Sequence, residues 1–110
     1  MSTPEYTKGS GNVYADIGFA DAPERLAKAK LGMRINEIIE RRALKQAEAA
    51  KILKINQPKV SALINGQLSL FSMEKLIHFL NLLNQDVEII VKARANRTLV
   101  GKLKVALGAL

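Results

Sequence analysis

The sequence predicts a mainly α domain ending in a single C-terminal β-strand, and three stretches carry that expectation. From Gln46 to Ile64 the apolar residues Ala47, Ala50, Leu53, Ile55, Val60, Leu63 and Ile64 recur every three to five positions, across a break at Lys54, Ile55 and Asn56. Upstream, Asp21-Ala22-Pro23-Glu24 is a helix start, followed by Leu31, Ile35, Ile38 and Ile39 in the i, i+4, i+7, i+8 pattern of a half-buried helix. Near the end, Val87 to Lys92 is β-branched and partly alternating, as a strand requires. With 110 residues the chain makes one domain.

Taken in order, Met1 to Gly11 is polar, aperiodic and reads as a flexible arm. Asn12 to Phe19 has too few apolar residues for an independent element and is expected to lie across the helical core, so the domain proper spans 12–92. The first helix runs from Asp21, a cap, to about Arg42. Its cations Lys28, Lys30, Arg34, Arg41 and Arg42 read as solvated charges paired with Glu24, Glu37 or Glu40. Two short helices follow, Gln46 to Leu53 and Asn56 to Asn65, the second stopped by Gly66. Gln67 to Phe71 is a linking loop, and Ser72 caps a helix to about Leu83 that buries Leu76, Phe79, Leu80 and Leu83. The Val87 to Lys92 strand needs a ladder partner, either its twin across a two-fold axis or a second strand from Leu99 to Leu107. The basic-apolar tail, 93–110, alternates like a strand. Leu99, Leu103, Leu107 and Leu110 also recur near every fourth residue like a helix, and periodicity leaves both open.

Two short helices at a steep angle across a tight turn make a helix-turn-helix. Asn56 can cap the second helix, because its side chain accepts from an orphan backbone N–H, and Pro58 falls in the first turn, where it loses no helical bond. If the apolar residues face the partner helix, Gln57, Lys59, Ser61 and Ala62 form an outward surface at the helix N-terminus. A helix-turn-helix places such a surface in the DNA major groove. There Gln57 suits a bidentate contact to adenine, Lys59 a contact to guanine or phosphate, and Ser61 either.

These residues resemble the Xre/Cro type of helix-turn-helix regulators, and within it the HigA-like antitoxins of RelE- or HigB-type toxin pairs. The resemblance rests on Gln46-Ala47-Glu48, Ala50, Gln57-Pro58-Lys59-Val60-Ser61 with Leu63, and Asn65-Gly66. It extends from about Ser10 to Lys92, including Asn12-Val13-Tyr14-Ala15-Asp16. Two positions depart from the pattern: Lys45 stands where the family usually has a capping Thr, and Lys54 where Gly usually makes the turn, at roughly 1 kcal/mol in a left-handed conformation. The resemblance implies a five-helix lambda-repressor-like core whose C-terminal strand, through Val87, Ile89, Ile90 and Val91, serves dimerisation. It implies backbone anchoring on DNA by Gln46, Asn65 and Gln67; Lys45 and Asn56 are placed beside them as backbone contacts. The expected partners are double-stranded DNA at a palindromic operator, a second copy of the chain and a RelE/HigB-type toxin. The alternatives are a stand-alone or phage-type repressor, and a protein-neutralising module that uses the helix-turn-helix as scaffold.

Composition narrows the remaining classes. Seventeen Lys and Arg against ten Asp and Glu give a formal charge of +7, which suits a polyanionic partner. With no Cys there is neither a disulfide nor a thiolate metal site, which fits an intracellular protein; the resemblance implies a bacterial or phage-encoded one in the cytoplasm. His78 is the sole histidine, and a metal site needs several ligands. No metal site, cofactor or membrane partner is expected. No nucleophile–base pair or phosphate-cradling Gly loop is present, so an enzyme is not expected either.

Overall fold

The computed structural model describes residues 22–110; the expected arm, the Asn12–Phe19 segment and the Asp21 cap lie outside the described residues. Four α-helices form, α1 (Ala22–Arg41), α2 (Gln46–Leu53), α3 (Gln57–Ile64) and α4 (Met73–Leu82), with a single 3₁₀ turn at Leu68–Leu70. Five helices are expected; among the described residues there are four and that turn. None of these helices is long and apolar enough to cross a membrane.

Each α-helix ends on a residue in the left-handed region: Ala43 (φ 53°), Lys54 (φ 61°), Gly66 (φ 77°) and Asn84 (φ 67°). After α1, Ala43 N–H bonds Glu40 O and Leu44 N–H bonds Ile39 O. After α3, Gly66 N–H bonds Leu63 O and Gln67 N–H bonds Ala62 O. After α4, Asn84 N–H bonds Asn81 O and Gln85 N–H bonds Leu80 O. All three are Schellman closures, which satisfy the last carbonyls and turn the chain sharply enough to bring short helices together. Only one of the four positions is glycine. Lys54 adopts the strained conformation anticipated from its place in the turn, and Ala43 bears a comparable strain.

The core is one cluster drawn from all four helices, with Ile35, Leu53, Val60, Leu63, Leu76, Phe79 and Leu83 almost wholly excluded from solvent. Leu31, Ile35, Ile38 and Ile39 face inward from α1, as their spacing predicts, and Ala27 extends that stripe by a turn. In α2 the buried pair is Ala49 and Leu53; Ala47 is exposed and Ala50 only half-buried. The apolar pattern that includes Ala47 and Ala50 is corrected here, because Ala49 and Leu53, at i and i+4, share the buried face while Ala47 lies two residues, or about 200°, round the helix from Ala49. Phe71, expected in a loop, is buried, and its ring meets Phe79 edge-on at 5.6 Å.

Arg42 ties the end of α1 to the end of α4 by donating from Nη2 to Leu83 O at 2.7 Å. Beyond Gln85 the described chain forms neither helix nor paired strand. The expected Val87 to Lys92 strand is therefore absent from the single chain, for the physical reason that made it conspicuous: it has no ladder partner among the described residues. Ile89, Ile90 and Val91 are 74, 75 and 92 % exposed. The tail is not a helix either. It turns at Asn96–Leu99, and Lys30 Nζ then donates to Val105 O at 3.1 Å.

Candidate nucleic-acid interface

The site begins with the caps of α2 and α3. At α2, the Glu48 carboxylate accepts from Lys45 N–H at 2.7 Å, which is half of a capping box. The other half is not made, since a lysine ammonium has no lone pair to accept with. At α3, Asn56 Oδ1 accepts from Lys59 N–H at 2.9 Å, and Pro58 sits in the first turn. Sequence reading anticipates this cap, which leaves the Asn56 amide N–H₂ available to a phosphate while its oxygen holds the helix.

Both short helices expose their first residues and bury residues from the fourth position on. Lys45, Gln46 and Ala47 are exposed at α2, and Asn56, Gln57, Pro58 and Lys59 at α3; Ala49, Leu53, Val60 and Leu63 are buried. Helix N-termini present unsatisfied N–H groups and a positive partial charge, so two in succession favour phosphate oxygens. Charge points the same way. From Ala49 to Met73 the chain carries Lys51, Lys54 and Lys59 and no acid.

Of the four expected base-reading residues, Gln57 and Lys59 are exposed and Ser61 is half-buried at the rim. Ala62 is only 7 % exposed and belongs to the core. It cannot touch a base, because α1, α2 and the 3₁₀ turn all pack on α3 and the buried arc is wider than a two-helix contact implies. For the same reason the polar surface is a narrow strip. Asn65 and Gln67 are exposed just past the helix, where Asn65 Nδ2 reaches Ser61 Oγ at 3.4 Å. That contact fixes Ser61 as acceptor and leaves its hydroxyl hydrogen free to donate.

Sequence reading misses the residues that aim α3. Asn36, on α1, donates from Nδ2 to Leu63 O and Ile64 O at 3.3 and 3.4 Å, so it closes the helix's last carbonyls from outside. A polar residue between Ile35 and Ile38 reads as ordinary surface, and only the fold brings it to the end of α3. Gly32 is equally hidden: a Cβ there would lie 2.9 Å from the Leu68 side chain, so this glycine lets the 3₁₀ turn lean on α1 and returns the chain beside the exposed strip.

The chain matches the helix-turn-helix domain family over residues 13–92. It also resembles a solved structure described as a putative XRE family transcriptional regulator, with 44% sequence identity and a TM-score of 0.74 over 80% of this chain and 99% of that one. No curated protein matches.

Proposed function

Because this chain belongs to the XRE family of helix-turn-helix transcriptional regulators and is a DNA-binding protein, we propose that it represses a promoter, its own included, as a homodimer on a palindromic operator. The observation that carries this reading is the acid-free strip of exposed Gln57 and Lys59 with half-buried Ser61 at its rim, on a helix whose start is capped by Asn56 and whose end is held by Asn36. Gln57 and Lys59 read base edges in the major groove, with Ser61 at the rim, while Lys45, Gln46, Asn56, Asn65 and Gln67 hold the backbone and set the depth of α3.

One eight-residue helix offers few base contacts, so a second copy supplies the other half-site about 34 Å away. The segment of half-buried Val87 and exposed Ile89, Ile90 and Val91, which lacks a ladder partner among the described residues of its own chain, is the dimer contact. We further propose that the protein is the antitoxin of a type II pair, neutralising a RelE/HigB-like toxin and acting in the bacterial cytoplasm. The support for that step is the motif resemblance across Gln46 to Gly66.

A gel shift with DNA from upstream of the gene tests both parts. The expected result is a single retarded complex at nanomolar protein, altered when the product of the neighbouring reading frame is added. No sequence-selective complex contradicts the repressor. A complex indifferent to every neighbouring product leaves a stand-alone repressor.

A further inference from the structure

We propose that the chain from Val87 to Leu107 is an open clasp that receives the Val87–Val91 segment of a second copy between its own two limbs. The product is a four-stranded intermolecular sheet ordered tail, partner strand, own strand, partner tail. This rests on the dimer proposed above and assigns a role to residues 93–110, which lie beyond the family match.

The first limb leaves the core at Val87, and the second returns to it at Val105; both are partly buried against the core cluster. Between them the chain reverses at Asn96–Leu99, where Leu99 N–H bonds Asn96 O at 3.2 Å and the Asn96 carboxamide oxygen accepts from Thr98 N–H and Oγ1 at 3.0 and 2.7 Å. This asparagine turn is a connection of hairpin length. A hairpin would close its ladder immediately behind it. Here the turn bond is the one backbone–backbone bond from residue 86 onward among the described residues, so the limbs stand apart.

The second limb is held against α1. Lys30 Nζ donates to Val105 O, and Arg34 Nη2 donates to Gly108 O. What remains, among the described residues, is a gap whose two limbs share no backbone bond, flanked by Ile89, Ile90 and Val91 on one limb and Val100, itself 91 % exposed, on the other.

The occupant is a second copy because the first limb is both the wall of the gap and the segment that fits it. A two-fold axis pairs Val87–Val91 with its twin antiparallel, and each central strand then lies beside the other chain's tail. The turn reverses the chain, so these outer pairs are parallel. Charge agrees with this order. Glu88 is the last acid in the chain, and in the sheet it lies beside a tail carrying Lys102 and Lys104.

The test uses the full-length chain mixed from differently isotope-labelled batches, with isotope-filtered NOEs read between copies. Two sets of contacts are expected, from 87–91 to 87–91 and from 87–91 to 99–107. The first set alone overturns the clasp while leaving the dimeric repressor intact; a monomer with neither set overturns both. Independently, Leu103→Asp should weaken dimerisation by about tenfold through the outer pairs, and an unchanged dimer constant overturns the clasp.

Discussion

Helices α3 and α4 are built by the same local chemistry and put to opposite uses. Each starts from a side-chain cap in nearly identical geometry, Asn56 at φ −79°, ψ 164° and Ser72 at φ −79°, ψ 162°, accepting from the backbone N–H three residues on. Each ends in a Schellman closure. Yet α4 and its C-cap bury Leu76, Phe79, Leu80 and Leu83, whereas α3 buries Val60, Ala62 and Leu63 and keeps Gln57 and Lys59 in solvent. Caps decide where a helix begins and ends; the side chains between decide whether it holds the fold or addresses a ligand.

The contrast can be attacked from the α4 side first. Phe79→Ala empties a fully buried site and should cost about 3–5 kcal/mol in a denaturant melt, the largest effect expected of any single change. DNA affinity at a temperature where the variant is still folded should be close to the wild-type value. The caps offer a matched pair. Asn56→Ala and Ser72→Ala should each lose about 1 kcal/mol of stability, measured the same way, but only Asn56→Ala should also weaken DNA binding. Lys45→Ala with Lys54→Ala should flatten the log–log salt dependence of binding by about 0.9 for each phosphate no longer neutralised, with sequence preference kept. The smallest effect concerns neither helix's surface. Ala43→Gly relieves a left-handed alanine and should raise stability by about 0.5 kcal/mol, read as a small upward shift in melting temperature.

Much of this contrast is legible in the sequence. The α4 stripe stands out because four large apolar residues recur at helical spacing, and the Asn56 cap and the Gly66 stop are single-residue signals with a direct physical cause. Ala62 and Ala47 are misread because alanine fits either face and only the surrounding elements decide; a third packing partner buries Ala62, while α2 turns Ala47 outward. Asn36 is invisible for a different reason. Its bonds to Leu63 O and Ile64 O span 27 and 28 residues, and no local pattern encodes a bond of that range. The Val87 to Lys92 segment announces its need for a partner by composition, yet the partner's identity is not written in that segment's own pattern.

Repression as proposed requires the strip at the start of α3 to be the surface that reads DNA. Fluorescence anisotropy with the operator duplex, wild type against the Gln57→Ala, Lys59→Ala double variant, tests this most directly when melting temperature is recorded in parallel. Loss of two exposed side chains should leave stability within about 0.5 kcal/mol, while operator affinity should fall by about 2–4 kcal/mol, roughly thirtyfold to a thousandfold. Unchanged operator affinity in a folded double variant would contradict the claim.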